Sequence, residues 1–490
     1  MSRKRKEQRD QSNVSQLDRH KHIGKTLVAP FNTLPKLGKT SWNNDRLPEM
    51  IWVALLFSEL PRADAIEAIQ CVARWGHTNK DQAQTVDLSL SSLSKMPPSV
   101  LQSFLGFLCQ LPGCQDALRP LALLRTIPQY EAWCLALQSP PQEEDWFRLK
   151  TATIQSFAHQ SESATDCRWA RVLFMMALGK LHFPRELEDL IRGVVEYPNH
   201  GDLRAVRPFI RATEGALDQA ANKNSDWPNE FWSFCFANSA CEKPDGDNYA
   251  GVPSFGTTRQ KIAEVSRHLE SHFNRTITTT AIDAKHDAVF GIAFYAISVL
   301  NEIIGLGNET SILGRTAIRT LVESYISLAY LTKKDSAEMW MKYRNYGSGQ
   351  AKLTFLKYEA GQFETEFLNR QLLEEFTNED MWQEFVDIGL GHWANSDLRK
   401  MSEEAGVKDE YDKYYSWTSG FVHGQWHAVR SSVLTMCRNP LHRFHRIARS
   451  ESRMLESAMP DGVALVDKIL DVLNVAYPSF DLRTKVEWSL

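Results

Sequence analysis

From Trp42 onward, apolar residues return at three- and four-residue intervals, the period of a helix that buries one face. Leu47-Pro48-Glu49, with Pro48 suited to a first turn, introduces Ile51, Trp52, Leu55 and Leu56. Pro61 and Asp64 precede a second stripe, Ala65, Ile66, Ile69, Val72 and Ala73, so two short antiparallel helices are expected. Further stripes run from Leu101 to Leu108, Leu118 to Leu124, Trp146 to Phe157 and Trp169 to Leu178. Arg185 through Val194 again pairs a charged surface with apolar anchors.

The periodicity lapses between Asn222 and Thr258, where Lys243-Pro244-Asp245-Gly246-Asp247 predicts a turn, and a domain boundary is placed near residue 255. Beyond it, a helix is predicted over Ala288 to Ile304, ended by Gly305 and Gly307, with Ser311 starting another through about Leu331. Residues 336–358, 365–398 and 410–437 supply more helical candidates, and a last helix runs from Val463 to Val475 before Pro478. The expected fold is all-α, an N-terminal array of helical hairpins followed by a C-terminal helical bundle. Residues 1–40 form a flexible basic arm, 41–255 a helical scaffold or partner-binding domain, and 256–490 a bundle carrying an active or ligand site.

A formal charge of -4 over 490 residues gives no global attraction to nucleic acid or acidic lipid, so local charge has to carry any such contact. The basic start, Met1-Ser2-Arg3-Lys4-Arg5-Lys6, is followed by no apolar segment and reads as a tail rather than a secretion signal. The run from Ala288 to Leu300 is short for a membrane span, which predicts a buried bundle helix and no integral membrane association. The 8 cysteines are scattered without Cys-x-x-Cys spacing, pointing to a reduced cytoplasmic protein with little support for zinc or iron–sulfur chemistry. Cys109/Cys114 and Cys235/Cys241 are read as core or surface thiols.

Candidate chemistry concentrates late in the chain. Tyr411, Tyr415, Ser419, His423 and His427 recur every fourth residue, a shallow spiral that drifts by about 40° per step on a helix. His423 is the preferred acid/base group, because a neutral imidazole accepts the proton of an RNA 2'-hydroxyl and a protonated one donates to the leaving oxygen. Tyr411, Tyr415 and Ser419 would position a strand, and His427 would assist or bind phosphate. Ser419 lacks the Gly-x-Ser-x-Gly elbow of a hydrolase nucleophile.

Upstream, Arg315, Arg319 and Glu323 form an i, i+4, i+8 set in which Glu323 orients Arg319 and leaves Arg315 to another segment. Either arginine would contact phosphate as a catalytic group. Tyr343, Arg344, Tyr346 and Lys352 add potential phosphate or base contacts, while Gly347-Ser348-Gly349 breaks the helix pattern without completing a phosphate-binding loop. Arg443, Arg446 and Arg449 recur three apart, as on a helical face, within a basic margin that extends to Arg453. No cofactor is expected and no metal ligands are assigned. A divalent metal stays open, because the His423/His427 spacing admits two ligands if Asp412 or Glu323 joins them.

Arg315-Thr-Ala-Ile-Arg319-Thr-Leu-Val-Glu323 and Tyr415-Ser-Trp-Thr-Ser419-Gly-Phe-Val-His423 resemble the early Arg-rich and late Tyr-x3-Ser-x3-His motifs of an uncharacterised bacterial family of helical proteins, over roughly residues 285–437. The same half is more distantly similar to the HEPN class of toxin and defence domains. That likeness implies a HEPN-like bundle, a homodimer or defence-protein partner, and metal-independent cleavage of RNA in bacterial stress or phage defence. HEPN nucleases pair an Arg with a His across four to six intervening residues, whereas here Arg430 follows His423. A noncatalytic helical adaptor or ligand sensor, and a metal-dependent phosphodiesterase, are the alternative functions.

Overall fold

The computed structural model describes residues 20–29, 41–220, 226–244, 257–279, 281–305, 307–361, 366–378, 385–449 and 455–485. The fold is all-α. Among the described residues, strands are confined to two short antiparallel pairs, β1 (Lys21–Ile23) with β2 (Thr26–Val28), and β3 (Leu434–Met436) with β4 (Arg446–Ala448). Most of the proposed basic arm lies outside the described residues, and the part within them forms the β1–β2 pair. The chain divides into two units, Met1–Lys243 with Cys437–His445, and Pro244–Met436 with Arg446–Leu490. The domain boundary expected near 255 falls in 245–256, which is outside the described residues.

In the first unit the predicted stripes become α1 (Ile51–Glu59), α2 (Arg62–Thr78), α3 (Pro98–Gln110), α4 (Glu144–Phe157) and α5 (Glu162–Ala177), and α6 (Leu203–Ala220) and α7 (Trp227–Asn238) form where no stripe is expected, α7 within the stretch read as aperiodic. Helix α1 is the hub, packed on α4 and α5. Not only its predicted stripe but every residue from Ile51 to Leu56 is buried, which suits a helix enclosed on all sides. Indole N–H groups taken into this core find carbonyls: Trp42 donates to Ser156 O at 2.7 Å, Trp52 to Leu88 O at 3.0 Å and Trp169 to Val194 O at 2.7 Å. One buried carboxylate, Glu214, accepts from Arg46 and from Arg171 at 2.9 Å, with Arg168 3.5 Å away.

The second unit is built on α8 (Arg259–Thr276), α9 (Ala284–Gly305), α10 (Ile312–Lys334), α11 (Ala337–Glu359), α12 (Leu398–Ala405), α13 (Ser416–Val422), α14 (Trp426–Val433) and α15 (Met459–Ala476). Helices α9, α10 and α15 pack on one another around Phe290, Leu300, Leu321, Val322, Val466 and Leu470. The predicted start at Ser311 is present: its hydroxyl accepts from Leu313 N at 3.1 Å and Gly314 N at 3.4 Å. Helix α9 is longer than its apolar run, and at 22 residues it is long and apolar enough to cross a membrane. Its apolar residues instead form the core of this unit, consistent with the absence of integral membrane association.

Several local expectations change. Gly347 and Gly349 do not break α11. Gly349 is where the backbone of Asp387 crosses the helix, and a Cβ there would stand 2.5 Å from the Asp387 carbonyl oxygen. Residues 386–397, expected as helix, are irregular, in keeping with Gly389, Gly391 and the left-handed Asn395 at φ 50°. The expected helix 410–437 is interrupted at His423–Gln425, with Gly424 at φ 59°, and ends in β3. Arg443, Arg446 and Arg449 do not share a helical face, because Arg443 is left-handed after a short turn and Arg446 opens β4. Arg453 lies outside the described residues.

Candidate functional site

One face of α10 presents the arginine ladder. Arg319 Nε donates to Glu323 Oε1 at 2.8 Å, its Nη2 stands 2.6 Å from the same oxygen, and Nη1 reaches the Tyr415 carbonyl at 3.4 Å. The guanidinium carbon lies 3.4 Å from the centroid of the Tyr415 ring. The role foreseen for Glu323 as the group that orients Arg319 is therefore seen directly. The side chain of Arg319 is only 11% exposed and that of Glu323 is 45% exposed, so the pair offers solvent a carboxylate rather than a guanidinium.

Tyr415 is delivered by a π-turn, Tyr411–Tyr415, that leads straight into α13. Tyr411 and Tyr415 stack with centroids 4.4 Å apart and planes at 21°. Burial, then the neighbouring Tyr415, pushes the Tyr411 phenol above its usual value, while Arg399 and Arg319 pull the other way. His392 belongs to the same surroundings. Burial lowers its imidazole below the ordinary value, and the Glu323 carboxylate opposes that shift. Pattern reading missed His392 because it sits in the irregular stretch taken for a helix.

The other candidates are placed apart from this group. Arg315 donates to the carbonyls of Glu309, at 3.1 Å, and Glu456, tying down the loops that flank α10 and α15. Burial lowers its pKa, although Glu456 and Asp461 oppose the shift. Tyr343 packs edge-on against Trp393, and Arg344 pairs with Asp287 on α9. Ser419 accepts the His423 amide at 3.1 Å through its backbone oxygen, closing the end of α13. His427 faces its neighbour helix: its Nε2 lies 3.1 Å from Trp417 O, and its ring stacks on Trp417 at 4.5 Å. The ring fills the space over Gly420, where a Cβ would stand 2.0 Å from His427 Cε1.

His423 is exposed at the break between α13 and α14. The stretch on either side of it exposes several apolar side chains that the apolar stripes do not include. Trp417 is 56% exposed and Trp426 64%, with Val422, Val429, Val433 and Met436 also exposed. In the first unit, a separate cavity of about 260 Å³ is lined by Ser41, Trp42, Asn43, Arg46, His159 and Arg168. Burial first, then Arg168, Arg211 and Arg46, keeps the His159 imidazole below its ordinary value.

Residues 286–438 match the model of a family described as a family of unknown function (DUF5677), which agrees with the likeness of this half to an uncharacterised helical family. Neither a search of curated proteins nor one of solved structures yields a match.

Proposed function

We propose that this chain is a noncatalytic helical adaptor whose C-terminal unit docks a second copy of itself through the apolar surface of α13 and α14. The observation that carries this reading is the pair of exposed tryptophans, Trp417 and Trp426, with four further exposed apolar side chains on the same short stretch. Soluble surfaces seldom spend two indoles in this way outside a contact, and tryptophan dominates the energetics of protein interfaces. The fate of the arginines supports the same reading. Arg319 is held by Glu323 and Tyr415, and Arg315 by two loop carbonyls, so both are engaged in holding the bundle together. Sedimentation velocity tests it. Wild type should self-associate with rising concentration, and Trp417→Ser with Trp426→Ser should sediment as monomer. A wild type that stays monomeric throughout the range would end the proposal.

A second reading, metal-independent RNA cleavage in bacterial stress or phage defence, is favoured by the exposure of His423 on the same stretch of chain as Trp417 and Trp426. Pairing of two copies there would bring two imidazoles towards the symmetry axis, the arrangement that the HEPN resemblance implies. Along the chain, His423 is about 12 Å of helical rise from Tyr415, so the imidazole would act apart from the Arg319–Glu323 pair. RNA fragments from wild type and His423→Ala, with and without chelator, test this reading. Equal fragment patterns from the two proteins would retire it.

A further inference from the structure

The first unit holds four side chains with the donor set and spacing of a closed zinc centre. Cys241 follows α7, and Cys437, His442 and His445 come from the segment 437–445 that belongs to the same unit. Their ligating atoms all lie within 4.8 Å of one another. We propose that Cys241 Sγ, Cys437 Sγ, His442 Nδ1 and His445 Nε2 bind one structural zinc ion.

The distances carry the first part of the case. Tetrahedral zinc, with Zn–S near 2.3 Å and Zn–N near 2.0 Å, sets sulfur and nitrogen ligands about 3.5 Å apart. Here Cys241 Sγ is 3.3 Å from His445 Nε2 and 3.5 Å from His442 Nδ1, and Cys437 Sγ is 3.5 Å from His442 Nδ1. Hydrogen bonding does not account for this set. One imidazole lone pair accepts one good bond, yet His442 Nδ1 faces two sulfurs at the same distance. A cation among the donors satisfies all of them together.

The tautomer of His442 follows from its surroundings. Ser239 Oγ spends its single proton on Cys235 O at 2.8 Å, so it accepts from Asn439 Nδ2 at 3.2 Å and from His442 Nε2 at 3.0 Å. That places the proton on Nε2 and leaves Nδ1 with its lone pair towards the two sulfurs. A ligating histidine that donates its other N–H to a fixed oxygen is the usual support of a zinc site. Asn439 Nδ2 also donates to Ala240 O at 2.9 Å, and Arg438 N donates to Glu242 O at 2.8 Å, bonding the 437–445 segment to the chain on both sides of Cys241. Phe236 packs on both imidazoles, with centroids 5.0 Å from His442 and 5.2 Å from His445.

Binding releases the two thiol protons to solvent and leaves two thiolates and two neutral imidazoles on the ion. Four protein ligands close the coordination sphere, so the role is to hold the 437–445 segment in place rather than to activate water. Cysteine spacing along the chain misses the site because Cys241 and His442 are separated by 201 positions.

The test uses the full chain, purified reduced and without chelator. Elemental analysis should find about one zinc per chain, and replacement by Co(II) should give the visible absorption of a tetrahedral thiolate site. Cys241 is exposed, so Cys241→Ser removes a ligand without opening the core; it should abolish the cobalt spectrum while Cys109→Ser keeps it. Ser239→Ala, which removes the acceptor of His442 Nε2–H, should weaken zinc affinity about 10- to 100-fold. Folded, reduced protein with neither zinc nor a cobalt spectrum would overturn the proposal. So would a spectrum unchanged in Cys241→Ser.

Discussion

The guanidinium carbon of Arg319 lies over the ring of Tyr415, 3.4 Å from its centroid, while Glu323 accepts from its Nε. Stacking needs the planar cation and the ring, not the phenolic hydroxyl. Arg319→Lys and Tyr415→Ala should each cost the second unit about 1–2 kcal/mol in chemical denaturation. Tyr415→Phe should cost almost nothing. Equal losses from Phe and Ala would show that the hydroxyl matters instead.

The contact between Gly420 and His427 makes a sharper prediction. Alanine at 420 would expel the imidazole, breaking its bond to Trp417 O and its stack on Trp417. Gly420→Ala should destabilise by about 1–3 kcal/mol, the usual cost of overpacking. In a His427→Ala background the same change should be nearly neutral. A thermal-unfolding double-mutant cycle with no coupling would contradict the geometry.

Glu214, itself fully buried, holds three arginines together in the first unit. Neutralising it leaves Arg46 and Arg168 without this counter-ion, while Arg171 keeps Asp87, a loss of about 3–5 kcal/mol for broken buried pairs. Glu214→Gln should therefore lower the melting temperature of the first unit strongly, and more than Glu323→Gln lowers that of the second. Similar small shifts would place the network nearer solvent than its burial indicates.

Acid should loosen the first unit partly through Asp145. Burial would raise this carboxyl, but Arg119, the Gln142 amide and Arg148 outweigh it and hold it below the ordinary carboxylate value. A depressed folded pKa stabilises above the unfolded value of about 3.9, and that stabilisation is lost as pH falls through the folded value. Asp145→Asn should be less stable than wild type at neutral pH and should show a shallower decline in acid. Parallel acid limbs for the two proteins would remove Asp145 from the account.

The parts of the fold that follow from local rules were legible in the residues. Ser311 caps α10 because its hydroxyl is where two unpaired amides need an acceptor, and Glu323 finds Arg319 because i and i+4 are neighbours on any helix. Tyr411 and Tyr415 likewise stack at i, i+4, through a π-turn that periodicity does not reveal. Legibility ended where a distant segment intervened. Gly349 reads as a helix breaker until the Asp387 carbonyl is seen to need its missing side chain, and His427 reads as a site residue until Gly420 is seen to receive it.

By itself the sequence determined that the chain would be helical, where some helices start, and which charged side chains meet within one helix, since these depend on period and on contacts a few residues long. Tertiary structure decided which polar groups are used up and which are left over. It buried Arg319 against Tyr415 from another element, left Trp417 and Trp426 exposed, and brought Cys241 beside Cys437, His442 and His445. The physical reason is range: helical propensity acts over one or two turns, whereas burial and a four-ligand donor set exist only once segments far apart in the chain have packed.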